Sequence, residues 1–137
     1  MLQRNGLVWV LVAMSSLSAV ACGGGRDVDV SGNVEAQAGL SVSGPITVNF
    51  LDVVNTTDPP KSVAKTTLDA PGTFDQKVSV SGDTVRVYAL VDANNDGKCT
   101  AGELWAETDA PITDDDKVAA VTLTLASGSC PTDVGEQ

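Results

Sequence analysis

The feature that most constrains this chain is a two-residue period. Val78 and Val80, then Val85, Val87, Ala89 and Val91, then Val121, Leu123 and Leu125 fall at alternate positions. That spacing puts them on one face of an extended strand and would scatter them around a helix. Six runs carry strand character: residues 27–34, 45–54, 62–68, 74–81, 84–91 and 118–125, rich in Val and Thr and separated by Gly, Pro, Asn and Asp. No stretch sustains a 3.6-residue apolar period. The expected fold is all-β, a small antiparallel β-sandwich of about seven strands. Ser81-Gly82-Asp83-Thr84 is expected to be a hairpin, with Gly82-Asp83 at its tip, joining the run at 74–81 to the run at 84–91. With 137 residues the chain has room for one domain and one modest core.

The first 22 residues break the pattern. A short head with Arg4, an apolar run from Leu7 to Met14, and small residues up to Cys22 have the layout of a secretory signal. The run is shorter than the roughly 20 apolar residues of a membrane-spanning helix. Ala19-Val20-Ala21-Cys22 resembles the lipobox of bacterial lipoproteins, with Ala19 where that family usually has Leu. The resemblance implies a signal peptide over 1–21, cleavage before Cys22, and acylation of Cys22 with palmitate-type chains. An ordinary cut after Ala21 that leaves Cys22 unmodified is the alternative. Residues 22–27, with Gly23-Gly24-Gly25, would then tether the anchor to a folded body over 28–137. Two or more acyl chains hold a protein stably on a membrane, where one chain alone binds marginally. Gly23 is not the aspartate that retains enteric lipoproteins at the inner membrane, so the resemblance favours the outer membrane.

Within the body, Ser31-Gly32-Asn33-Val34, then Gly72-Thr73-Phe74, then Val85-Arg86-Val87-Tyr88 leading into a polar loop follow one another in an order that resembles transthyretin-like, carboxypeptidase-regulatory-type sandwiches of secreted bacterial proteins. The resemblance spans roughly residues 28 to 126. It implies an Ig-like or transthyretin-like arrangement of strands.

The polar loop is the most specific motif. Asp92-Ala93-Asn94-Asn95-Asp96-Gly97-Lys98-Cys99-Thr100-Ala101-Gly102-Glu103 matches D-x-[DN]-x-[DN]-G-x₅-E at every fixed position. Ca²⁺ takes six to eight oxygens at about 2.3–2.6 Å. Asp92, Asn94 and Asp96 offer side-chain oxygens, Lys98 its backbone carbonyl, Thr100 a direct or water-mediated contact, and Glu103 a bidentate carboxylate, while Gly97 allows the sharp turn. The segment before Asp92 alternates like a strand, and Cys99 stands where an aliphatic residue is usual. The loop therefore resembles the strand-borne EF-type loops of extracellular sandwiches, in which the ion is a staple, more than a helix-flanked switch. The same residues would also make a solvated Asn-Asn-Asp-Gly turn, although such a turn has no need of Glu103.

With Cys22 assigned to lipid, Cys99 and Cys130 remain as an even pair in an exported, oxidising compartment. A disulfide between them is the expectation, with two free thiols or an intermolecular bridge as alternatives. On a chain-entropy estimate such a bridge contributes on the order of 3–4 kcal/mol. No Cys-x-x-Cys spacing points to redox catalysis.

Composition narrows the function. Removing residues 1–21 keeps all 18 acidic and 7 of the 8 basic residues, for a charge of −11. Such a surface repels phosphate backbones and excludes nucleic acid as a natural partner. The chain has no histidine, the commonest general base, and aromatics make up only 4% of it. A non-enzymatic reading follows: a lipid-anchored envelope protein whose β-sandwich is a binding or structural module with an envelope or surface protein as partner. Its rivals are an accessory subunit of an envelope or secretion complex with incidental metal, a carboxylate-based hydrolase, and a sugar-binding module bridged by Ca²⁺ with Trp105 beside it. Asp114-Asp115-Asp116 and Asp58-Pro59-Pro60 read as solvated or rigid turns, Trp105 as a packing residue, and Asn55-Thr56-Thr57 as a glycosylation pattern without meaning in a bacterium.

Overall fold

Alternation becomes seven strands in a computed structural model that describes residues 25–131. They are β1 (Arg26–Ala36), β2 (Ile46–Val53), β3 (Lys61–Leu68), β4 (Gly72–Val80), β5 (Thr84–Val91), β6 (Leu104–Pro111) and β7 (Lys117–Ser127). The signal over 1–21, Cys22 and the first tether glycines lie outside the described residues.

Two hydrogen-bonded groups face each other. One is β4-β1-β7 and the other is β3-β2-β5-β6. A short ladder between β6 and β7 makes them one seven-stranded sheet in the order β3-β2-β5-β6-β7-β1-β4. The end strands β3 and β4 approach each other. The all-β expectation holds, with one departure: β1 and β7 run parallel, while the other ladders are antiparallel.

The core lies between the two groups. Val28, Val30 and Val34 of β1, Ile46, Val48 and Phe50 of β2, and Val85, Val87, Ala89 and Val91 of β5 all point into it. Phe50 and Phe74 meet edge to face across it, ring centroids 5.7 Å apart, the geometry that aligns a positive ring edge with a negative ring face. β7 inserts both Val118 and Leu123 into this core although they are five residues apart. An extra residue in β7, where Val30 pairs Val118 but Gly32 pairs Val121, switches the inward face.

Three sequence expectations change here. The β6 strand, LWAETDAP, was not among the six runs. Its inward residues Ala106 and Ala110 are small, and Glu107 and Asp109 are poor strand formers. Its place is set by pairing with β5, from Val91–Leu104 to Thr84–Pro111. Second, β5 is buried on both faces, whereas its two-residue period marks only one: Tyr88 and Leu90, on the face away from the core, are 1% and 2% exposed. Third, residues 81–84 are not a hairpin. β4 pairs with β1 and β5 pairs with β2 and β6, so the segment crosses from one group to the other.

That crossing explains Gly82 without any appeal to an unusual φ. A Cβ there would lie 2.1 Å from the Val53 carbonyl oxygen. Asp52, 5% exposed, fixes the contact by accepting hydrogen bonds from the amides of Ser81 (2.8 Å) and Gly82 (2.9 Å). Buried carboxylates are stable only when so satisfied. Gly82→Ala should therefore lower the unfolding free energy by about 2–3 kcal/mol, at the severe end for single substitutions. In Gly72→Ala the added Cβ meets nothing closer than the Ala70 carbonyl oxygen at 3.9 Å, and it should be neutral or stabilising. Urea unfolding of the two variants checks both signs.

Candidate calcium loop

Sheet pairing brings the ends of the motif together. Val91 and Leu104 are opposite each other at the last rung of the β5–β6 ladder, so Asp92 and Glu103, the first and twelfth loop positions, leave the sheet side by side. The ten residues between them make the turn. Gly97 has φ +74 and Asn95 has φ +60, both in the left-handed region that Gly tolerates freely and Asn better than most.

The side chains then organise the turn. Asp92 accepts from the amides of Asp96 (3.2 Å) and Gly97 (2.6 Å). Asp96 accepts from the Lys98 amide at 2.9 Å. The Asn94 amide group donates to Asp96 (3.0 Å) and to the Thr100 hydroxyl (3.3 Å), drawing the third, fifth and ninth positions together. Glu103, 8% exposed, reaches back across the loop: Oε1 accepts from Ala93 (2.9 Å) and Oε2 from Thr100 (2.8 Å). Charge-assisted bonds of this kind are stronger than neutral ones.

All six expected ligand residues sit in one loop and each carries an oxygen of the kind a hard cation takes, while Asn94 turns its NH2 group toward Asp96 and Thr100. Their carboxylates are turned onto loop amides. Among the described residues no three His, Cys, Asp or Glu side chains gather into a group that could hold a metal ion. An ionised carboxylate has about four acceptor positions, so an amide bond to each oxygen leaves capacity for a further contact.

The expected disulfide is present: Cys99 and Cys130 are bridged, with Cα atoms 5.7 Å apart. It ties the eighth loop position to the chain just after β7. Trp105 packs, as expected, instead of standing out as a ligand contact. With Cys99 it lies against Leu51, Tyr88 and Leu90, a second apolar cluster on the outer side of β2 and β5. Its ring centroid is 6.3 Å from that of Tyr88. The sequence signal for this cluster was present in the near-continuous apolar run of β5, which alternation alone does not account for. Beside it Arg86 binds Asp109 in a two-point ion pair of 2.6 and 3.0 Å.

The remaining candidates are turns. Asn55 accepts from the amides of Thr57 (2.9 Å) and Asp58 (2.7 Å), so its side chain builds the turn before Pro59. Asp115 accepts a short hydrogen bond from the Thr113 hydroxyl, which with the Lys117 ammonium 3.6 Å away holds its carboxyl below the usual range.

No family model matches the sequence, and no curated protein matches it. Among solved structures the chain is similar to an alternative pilotin from the type II secretion system of Vibrio cholerae, at 15% identity and a TM-score of 0.37, over 76% of this chain and 99% of that one. That likeness is too loose to assign a family or a function.

Tyr88 is the chain's one tyrosine. Burial, then the negative charges of Glu107, Glu103 and Asp92, push its phenol up to about 12 from 10.0. A phenol that holds its proton more tightly when folded contributes stability that is complete below pH 10 and is lost as pH rises toward about 12. Ultraviolet titration should show one phenol ionising near the raised value. Melting temperature should fall across the same interval.

Proposed function

We propose that this protein is an envelope lipoprotein anchored through Cys22, whose β-sandwich is a non-catalytic binding or structural module and whose Asp92–Glu103 loop is a calcium staple. The observation that carries the calcium reading is Glu103. It is buried, it stands beside Asp92 at the end of the β5–β6 ladder, and its two oxygens bond to opposite sides of the loop. Those bonds close the loop, and they leave each carboxylate oxygen acceptor capacity for an ion. A cation-binding loop needs its twelfth carboxylate there.

Asp92, Asn94, Asp96, the Lys98 carbonyl, Thr100 and Glu103 would hold the ion, which would supply charge neutralisation and stiffness. The loop and the Cys99–Cys130 bridge would then hold one end of the sandwich rigid for a protein partner in the envelope. The anchor rests on the Ala19–Cys22 motif and the glycines after it.

Extracellular calcium modules bind at about 10⁻⁴–10⁻³ M, so about 2 mM Ca²⁺ should add about 0.6–1.8 kcal/mol of stability, or a few degrees in melting temperature. Glu103→Gln should abolish that rise, and excess chelator should reverse it in the parent chain. An equal melting temperature with Ca²⁺ and with chelator refutes the staple. For the anchor, Cys22→Ala should move the protein from the membrane fraction to the soluble fraction of expressing cells.

A further inference from the structure

Sulfur attaches the loop to the sheet beside it. The hydrogen bonds that shape residues 92–103 join loop residues to one another. Cys99 is the loop residue that packs outward, onto the cluster of Leu51, Tyr88 and Leu90. Its bridge to Cys130 fixes it there. Neither cysteine belongs to the main core between the two strand groups.

The face beside Cys99 is not fully satisfied. The Tyr88 hydroxyl, the Trp105 indole N–H and the Asn49 side-chain amide nitrogen are buried without hydrogen-bond partners. Asn49 and Tyr88 are opposite each other on β2 and β5, and Trp105 is opposite Leu90 on β5 and β6, so all three share one patch. Exposing the patch to water costs apolar burial and returns hydrogen bonds to these groups. The two effects oppose, and the covalent bond adds its weight on the side of the closed face.

We propose that the Cys99–Cys130 disulfide is a redox-sensitive latch that holds loop 92–103 closed over the Tyr88–Trp105 face, and that its reduction opens the face while the main core stays folded. The reductant is a dithiol. One of its thiolates attacks a bridge sulfur to give a mixed disulfide and a cysteine thiolate, and its second thiol displaces the other cysteine. Two electrons and two protons end on Cys99 and Cys130, and the reductant becomes a disulfide. Both cysteines are half-buried, so the bridge is open to attack. This inference does not rest on the calcium reading, and chelator in every sample keeps the two apart.

The test uses the full chain with Trp9→Phe, which leaves Trp105 as its one tryptophan. Acrylamide quenching and emission of Trp105 are compared in oxidised protein, in protein reduced with dithiothreitol, and in a Cys99→Ser/Cys130→Ser double variant without reductant. Quenching should roughly double and emission shift to the red in the last two, with the β-type circular dichroism spectrum and a cooperative melt retained, as local opening requires. Unchanged quenching in both would overturn the latch. Loss of the β spectrum on reduction would overturn it too, because the bridge would then be a staple of the whole fold.

Discussion

Two rungs, Leu104 with Ser127 and Trp105 with Ala126, join the two strand groups into one sheet, with a single bridge from Ile112 to Val118 at the opposite end of β6. Much of the molecule's organisation depends on that short seam. It turns β6 toward β7 so that the valine-rich faces on either side close over a shared core. It also brings the end of β7 beside the start of β6, within reach of the loop that precedes β6. The Cys99–Cys130 bridge lies next to the seam and spans 31 positions of sequence. Few ladder bonds hold this corner, so a covalent tie there constrains more than one placed in the middle of a long ladder.

The seam also accounts for the two apolar clusters. A sandwich needs one buried face per sheet, and the inward valines supply it. On β5 the opposite face is buried as well, because Cys99 and Trp105 fold against Tyr88 and Leu90. The second cluster is small, rich in aromatic and sulfur atoms, and carries polar atoms without partners, whereas the main core is aliphatic and regular. The same chain thus combines a conventional core with a less settled patch beside its most motif-like loop.

Much of the fold was legible because alternation is a direct consequence of strand geometry. Val85, Val87, Ala89 and Val91 could hardly be buried together in any other way. The loop was equally plain, since its residue types and spacing are visible without coordinates. What stayed hidden depends on neighbours distant in sequence. Ala106 and Ala110 look unremarkable until β5 is beside them. The β7 bulge is recorded only in the spacing of Val118, Val121 and Leu123. Gly82 suggested a hairpin tip, but its meaning lies in the Val53 carbonyl that a side chain would strike. Any partner is hidden for a different reason: recognition is a property of two surfaces, and one chain contains only one of them.

The parallel pairing of β1 and β7 has a directional consequence. Arg26, at the start of β1, sits near Asp83 and Asp116, with which it forms ion pairs, while Ala36 and Leu125 are paired at the far end. An eleven-residue strand spans about 35 Å. The chain therefore enters the domain from Gly25 at one pole, and residues 92–103, with their disulfide, occupy the other. Anything joined ahead of Gly25 thus meets the domain at the pole opposite its acidic, sulfur-bound loop.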